Sequence, residues 1–395
     1  MMHLLSFSLL FNVVSFHYVN TFSKRYTYVS FGIEPIQHSG NCDLFVGDWV
    51  PDPLGPVYSN ESCHVIIPGR NCMKNGSPDS GYLYWRWKPR DCEIPRFNGA
   101  RFLEMMRDKS WGFIGDSIAR NHVQSLFCIL SKVEAADEVY YDEEDRPIRW
   151  YFPSYNFTLA VIWSPLLLKA AISEDKHGVS SSDIQLHLDK LDEQWTHEYQ
   201  NFNYVTISGG KWFLKTAIYH YNDTIVGCHY CSSHGNLTEF GYDKAYRQAI
   251  KLVFNFIIKS NHSAVVLFRT TTPSHFENGE WFSGGTCNRR MPYKEGEIRV
   301  DNVDSAMHDI ELEEFNIAIT TFGFKTREKL KLLDTTQLSS LRPDGHPDNN
   351  AIVQNDCLHW CLPGPIDSWN DLILEMLMHE CLTDISRYML RTCYI

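Results

Sequence analysis

Basic charge is scarce in this chain. Its 36 Lys and Arg face 48 Asp and Glu, leaving a formal net charge of −12. A nucleic-acid binder needs a basic footprint for the phosphates, so that class is excluded. The balance suits a neutral or cationic partner, or simple solubility. Long apolar runs are missing as well. Only Leu4 to Val19 approaches one, and it is at the short end for a bilayer span. No G-x-G-x-x-G follows a predicted strand and no Walker A sequence occurs, so no motif points to a nucleotide or coenzyme A. Internal repeats and low-complexity tracts are absent too. The apolar (44%) and charged (21%) fractions are those of a globular protein, and 395 residues suffice for one large domain or two moderate ones.

Cysteine, by contrast, is abundant. Twelve cysteines fit a secreted enzyme better than a cytosolic one. Six N-x-S/T sequons, at Asn60, Asn75, Asn156, Asn222, Asn236 and Asn261, point the same way. Asn75 is the weakest, because Pro78 follows its Ser77. The N-terminal apolar run reads as a signal peptide or a short signal-anchor. Its nearby cations, Lys24 and Arg25, lie after the run. That is the wrong side for an anchor whose body is in the lumen, and a truncated gene start would explain it. The aromatic content, with 11 Trp and 20 Tyr, is compatible with a glycan ligand, although core packing is the default for most large rings.

From Cys42 to Cys92 the chain is dense in Cys, Pro, Gly and Trp with no sustained period. This predicts a stapled, loop-rich module around Cys42, Cys63, Cys72 and Cys92. The remainder alternates strand and helix patterns. Helices are predicted over Phe102–Arg107, Ile118–Leu130, Tyr242–Ile258, Asp304–Phe322 and Asp367–Leu390. Strands are predicted at Trp111–Ile114, Tyr204–Ser208, Ala264–Phe268 and Leu330–Leu333. That alternation implies an α/β fold with a mostly parallel central sheet flanked by helices.

Two short sequences carry chemistry. The first is Phe113-Ile114-Gly115-Asp116-Ser117, where a strand ends and a helix begins. A serine there sits at the carboxyl edge of the sheet, where α/β proteins place ligands, and the helix N-terminus offers amide donors to an oxyanion. Gly115 permits the tight turn. The plainer reading is that Asp116 or Ser117 is only an N-cap. The second sequence is Asp356-Cys357-Leu358-His359-Trp360-Cys361. A serine hydroxyl needs a base to become a nucleophile, and His with a carboxylate partner is the usual supply. Asp356 and His359, three residues apart in one turn, can face one side, and disulfides from Cys357 and Cys361 would make the loop rigid. The rival is a metal site from Cys357, His359 and Cys361, which oxidised cysteines cannot form. No bound metal is inferred.

G-D-S followed far downstream by D-x-x-H resembles the SGNH/GDSL esterase pattern. The wider text resembles the plant trichome birefringence-like family of wall-polysaccharide O-acetyltransferases. The matching stretches are C-D-L-F-V-G-D-W-V-P (42–51), N-C-M-K-N-G-S-P-D (71–79), W-R-W-K-P (85–89), F-I-G-D-S-I-A-R-N-H (113–122), P-S-H-F-E-N-G-E-W (273–281) and D-C-L-H-W-C-L-P-G-P-I-D (356–367). G-C-H-Y-C (227–231) resembles the members that acetylate xyloglucan side chains. The resemblance implies residues 1–40 as signal segment plus linker and 41–95 as a Cys-rich N-terminal domain. It gives 96–380 as an SGNH-hydrolase-like catalytic domain on which that module packs, and 381–395 as a tail. It places the protein in the Golgi lumen as a single-pass type II membrane protein, or secreted. Acetyl would pass through an acetyl-serine to a wall polysaccharide, xyloglucan first, with no bound cofactor and an acetyl donor of unknown identity. Ser117 would be the nucleophile, His359 the base and Asp356 its orienter, with Ser117 and Gly210 N–H groups as oxyanion donors. The disulfides it implies are Cys42–Cys92, Cys63–Cys128, Cys72–Cys357 and Cys287–Cys361, with Cys228–Cys231 and Cys381–Cys393 as weaker pairs.

Where many members read G-H-W, this chain reads Gly210-Lys211-Trp212. That puts any donor or acceptor contact from the usual His in doubt. Arg120, Asn121 and Arg269 are either functional lining or buried hydrogen bonding. His275 and Glu277 line an acceptor site or satisfy a loop. Trp85, Trp87, Trp212 and Trp281 stack on sugars or fill a core. Cys228 and Cys231 form a redox pair, part of a zinc site or a small-loop structural disulfide. His346 is a rival base. Two further functions stay open: an acetyl-esterase using the same triad, and a non-catalytic wall-glycan-binding protein in which Ser117 and His359 do not meet. Xylan, mannan or pectin are alternative acceptors.

Overall fold

A computed structural model describes residues 42–75, 80–141, 148–173, 182–230, 236–280, 283–300, 302–347 and 356–387. The N-terminal apolar run, Lys24, Arg25, Cys231 and Trp281 lie outside this set, as do the side chains of Cys381 and Cys393. Residues 37–395 form one compact unit.

The chain opens on strand β1 (Gly47–Pro51), antiparallel to β2 (Trp85–Pro89), with Trp49 opposite Trp87. The loop-rich stretch between them is stapled to the rest of the protein. Helix α1 (Gly99–Met105), β3 (Ser110–Gly115) and α2 (Ser117–Leu130) follow. Next come β4 (Asp137–Tyr141), β5 (Ile148–Phe152), β6 (Phe157–Trp163), β7 (Leu168–Ala171) and β8 (Ile184–Leu191). Helix α3 (Glu193–Glu198) leads to β9 (Tyr204–Ile207), β10 (Ala217–Tyr221) and β11 (Thr224–His229). The last third holds α4 (Tyr242–Lys259), β12 (Val265–Arg269), α5 (Asn302–Phe322), α6 (Phe324–Lys329), β13 (Leu330–Leu333), α7 (Thr336–Ser340) and α8 (Asp367–Arg387).

The central sheet runs β13-β12-β9-β3-β6-β5-β4. Its five strands from β13 to β6 are parallel, and β5 and β4 add an antiparallel edge. A mostly parallel sheet covered on both faces is what the alternating pattern predicts. A second sheet, β11-β10-β8-β7, is not foreseen by that pattern.

Two apolar cores form on the faces of the central sheet, because side chains alternate along each strand. Trp111, Phe113, Leu159 and Val161 join one core with α2, α8 and the Cys-rich segment. Ile114, Ile162, Val205, Ile207, Val266 and Phe268 join the other with α4, α5 and the second sheet. Helix α2 is buried at every position except Ser117 and Arg120, so it is a central pillar. Helix α4 buries Tyr246, Ala249, Ile250, Val253 and Ile257, the stripe its spacing predicts.

Among the described residues four disulfides with both partners placed fasten these layers. Cys42–Cys92 and Cys63–Cys128 agree with the expected pairing. The other two are exchanged: the structure joins Cys72 to Cys361 and Cys287 to Cys357, with Cα separations of 5.5 and 5.7 Å. The direction of the 356–362 loop explains the exchange. Its far end docks on the Cys-rich segment through Leu362 N–H to Arg70 O (2.9 Å), which brings Cys361 to Cys72. Its near end docks on the central region through His275 N–H to Cys357 O (2.9 Å), which brings Cys357 toward Cys287. Cys228 is also disulfide-bonded.

Candidate active site

Ser117 stands where β3 gives way to α2. The turn needs Gly115. Its φ is +154°, and a Cβ there would lie 2.2 Å from Ser208 O. Asp116 is the N-cap, accepting the Ile118 N–H at 2.9 Å, which assigns the capping role to Asp116 and not to Ser117. Burial pushes the Asp116 carboxyl up, against Arg269 and backbone donors that favour its charged form.

His359 Nε2 lies 2.7 Å from Ser117 Oγ, and His359 Nδ1 lies 2.7 Å from Asp356 Oδ2. An ionised carboxylate only accepts, so Nδ1 carries the proton. That leaves Nε2 to accept from the Ser117 hydroxyl. Asp356 Oδ1 also accepts the backbone N–H groups of His359 (2.9 Å) and Leu358 (3.2 Å). Burial opposes the charged form of Asp356. The facing His359, these hydrogen bonds and the nearby Arg70 outweigh it and hold the carboxyl well below its usual range. Residues 242 positions apart in sequence thus form one hydrogen-bonded line. The non-catalytic reading, in which they do not converge, is contradicted by this geometry.

Several contacts hold the loop that carries His359. Asn121, one turn after Ser117, accepts Trp360 N–H at 2.7 Å and donates to Trp360 O at 3.2 Å. His346 sits 2.7 Å from His359 O through Nδ1, and 2.7 Å from His275 Nδ1 through Nε2. Burial pushes His346 down to about 3 and His275 to about 4. His346 therefore braces the loop and does not face Ser117 as a rival base. Cys357 and Cys361 are both oxidised, so neither thiolate is available to a metal. Among the described residues no three His, Cys, Asp or Glu side chains are placed to hold a metal ion.

The profile of the GDSL/SGNH-like acyl-esterase family found in Pmr5 and Cas1p, PC-esterase, matches residues 94–376, and that of the PMR5 N-terminal domain matches residues 40–93. The chain belongs to the PC-esterase family. It is 56% identical over 354 residues to protein trichome birefringence-like 26 of Arabidopsis thaliana, covering 87% of this chain and 78% of the relative. Xyloglucan O-acetyltransferase 1 of the same plant is 43% identical over 354 residues, covering 87% and 82%. Xyloglucan O-acetyltransferase 1 of Populus trichocarpa is 40% identical over 395 residues, covering 95% and 91%.

On this PC-esterase scaffold the remaining sequence candidates divide. Gly210 opens the turn after β9 at φ +148°, where a Cβ would lie 2.8 Å from Thr271 Oγ1. The Lys211 ammonium is committed to Asp304, an acid 1% exposed in the first turn of α5, and reaches Ser274 Oγ at 3.4 Å. Arg269, at the carboxyl end of β12, is buried over the Trp369 ring and donates to Thr270 O. His275 is likewise buried. Glu277 pairs by backbone with Thr286. Trp87 is core; Trp85 is half-buried against it. Arg120 packs over Trp163 at 5.2 Å, and Trp163 meets Trp212 edge-on at 5.6 Å.

Sequence reasoning missed Trp163 and Arg70. Trp163 ends β6 directly across from Gly115, a position legible only once the register is known. Arg70 comes from the Cys-rich segment, is 5% exposed, and donates to Gln124 Oε1 at 3.3 Å. Burial pushes its guanidinium down to about 9, against the attraction of Asp356. No sequence pattern marks it.

Proposed function

We propose that this protein is an O-acetyltransferase that carries acetyl on Ser117 and delivers it to a hydroxyl of a plant cell-wall polysaccharide, with xyloglucan side chains as the acceptor. The observation that carries the reading is the Ser117–His359–Asp356 line, with 2.7 Å at each step, on a chain 40–43% identical to two xyloglucan O-acetyltransferases.

His359 takes the Ser117 proton as the hydroxyl attacks the donor's acetyl carbonyl. Asp356 holds the imidazole tautomer and stabilises the imidazolium that forms. The Ser117 and Gly210 amides, one at a helix N-terminus and the other in the turn after β9, serve as oxyanion donors. Collapse of the tetrahedral intermediate leaves acetyl-Ser117 and returns the proton from His359 to the leaving group. In the second half His359 deprotonates a sugar hydroxyl, which attacks the acetyl carbon and frees Ser117. Positioning is worth up to ~7–11 kcal/mol, enough for a bound sugar hydroxyl to outcompete water. Beside Gly115 the half-buried Trp163 ring, which carries Arg120, and the Trp212 ring against it, which carries Lys215, supply aromatic and cationic surface for such an acceptor. Disulfide-rich construction suits the secretory pathway, and the proposed location is the Golgi lumen, behind an N-terminal anchor. The acetyl donor is not bound in advance and arrives as a substrate.

The test supplies an acetyl donor with and without xyloglucan oligosaccharide and follows acetate and acetylated sugar by mass. Acetylated sugar that depends on Ser117 supports the transferase. Fast acetate release unaffected by the sugar, with no acetylated product, leaves an acetyl-esterase instead.

A further inference from the structure

The amino edge of the central sheet carries an open groove of about 770 Å³, on the side opposite the Ser117 edge. This lies within the ~300–1,000 Å³ typical of small-ligand sites. Its floor is the half-buried Phe256 ring of α4 with Leu252 and Leu191, and its rim is polar, with Gln200 and Asn255. The Phe256 ring is fixed by edge-on contacts to Trp195 at 5.1 Å and Tyr199 at 5.3 Å. Asn261 forms part of the groove wall, and it opens the sequon Asn261-His262-Ser263.

The six sequons are not equivalent. Asn261 and Ser263 are exposed in the extended link between α4 and β12. His262 pins that link from beneath through Nε2 to Phe202 O at 2.6 Å. Asn75 and Asn156 have their amide nitrogens committed, to Pro68 O at 2.7 Å and Asp108 Oδ1 at 2.9 Å. Asn222 is locked in a two-residue hairpin turn with Asp223, both at positive φ. Asn60 is half-buried in the Cys-rich segment. Asn236 is exposed, next to residues outside the described set. Among the described sequons Asn261 alone joins an exposed acceptor to a concave surface of carbohydrate size.

We infer that Asn261 carries an N-linked glycan and that its first N-acetylglucosamine packs on Phe256 in this groove, as a fixed part of the fold. Transfer joins the Asn261 amide nitrogen to the anomeric carbon of that sugar. It breaks the bond from this carbon to the diphosphate of a lipid-linked oligosaccharide, and the displaced amide proton leaves with the diphosphate. The oxidised cysteines place the chain in the compartment where such donors act. The sugar covers apolar surface that is otherwise wet, and its hydroxyls meet the polar rim. Five residues of β12, at ~3.3 Å each, put the glycan ~15 Å or more from the Ser117 edge, so it does not obstruct chemistry.

The test uses the full chain secreted from a eukaryotic host. Glycopeptide mass spectrometry should find Asn261 occupied. Thermal melts then compare the intact form, a form trimmed by an endoglycosidase to one N-acetylglucosamine, and a form stripped by an amidase. The first two should melt together, and the third ~1–3 °C lower. In the Asn261→Gln variant the step between trimmed and stripped forms should vanish, while turnover matches wild type. Ser263→Ala should match Asn261→Gln. An unmodified Asn261, or a trimmed-to-stripped step that persists in Asn261→Gln, overturns the inference.

Discussion

Asn121 is the residue whose removal should separate loop placement from catalytic chemistry. Its amide bonds to Trp360 and not to the Ser117 hydroxyl or the His359 imidazole. Both ends of its amide are bonded to the backbone of Trp360, the residue after His359, and both partners are fully buried. Asn121→Ala would leave a buried N–H and a buried C=O without partners. Each costs ~1–3 kcal/mol, so the destabilisation should reach ~2–6 kcal/mol less whatever a water recovers. The loop would still be held by Cys72–Cys361, by Cys287–Cys357 and by His346 on the His359 carbonyl. His359 should therefore drift rather than depart. A shift of ~1 Å in a positioned group costs ~10²-fold in rate. The assay measures kcat, KM and melting temperature together. The expected result is kcat down ~10²-fold, KM near wild type, and a clear fall in Tm. Asn121→Asp should be intermediate in stability, since it keeps an acceptor for Trp360 N–H but sets a carboxylate against Trp360 O. An Asn121→Ala enzyme with wild-type kcat and Tm would refute the clamp.

Other consequences follow from the same geometry. Asp356→Asn should lower kcat by ~10⁴-fold at nearly constant volume and should also lower stability at neutral pH, because the fold favours the ionised carboxylate; matched kinetics and melts check this. Cys361→Ser should abolish most activity and cost ~2–4 kcal/mol, more than Cys42→Ser costs in rate, since only the former tie anchors the His359 loop. Asp371, which accepts the Phe97 N–H at 2.8 Å, is pushed up to about 7 by burial. Its folded pKa exceeds its unfolded value near ~3.9, so its contribution to stability is fully present below ~pH 4 and is lost as pH rises through 7. Asp371→Asn should therefore raise stability at pH 8 by up to ~4 kcal/mol and leave pH 4 unchanged, measured by denaturant melts at both pH values.

Much of this was legible in the sequence, for identifiable reasons. Strand β3 carries a short apolar run and α2 opens on a capping Asp116, so their junction at Ser117 is visible without a structure. Helix α4 shows its buried stripe directly. The second sheet is harder. Residues Ile184–Leu191 alternate buried and half-buried, a period-2 signal, but β8 pairs in parallel with β10 more than thirty residues on, and nothing local announces that partner. The exchanged disulfides fail for a different reason. Cys357 and Cys361 flank one short loop, and both pairings fit the spacing. Only the run of the chain past Arg70 and His275 decides between them. The ion pair that engages Lys211 has no local signal either, because its partner, Asp304, lies 93 residues away. Arg70 had no signal at all, since its neighbours in space come from α2 and the distant His359 loop.

The most direct test of the central claim is peptide mass spectrometry of the enzyme quenched during turnover with an acetyl donor. The account predicts acetyl on the Ser117 peptide. A chase with xyloglucan oligosaccharide should move that label onto the sugar faster than it appears as acetate. His359→Ala should not accumulate the label, and Ser117→Ala should carry none. Acetylated oligosaccharide formed at the wild-type rate by Ser117→Ala, or label on Ser117 that the sugar never removes, would contradict it.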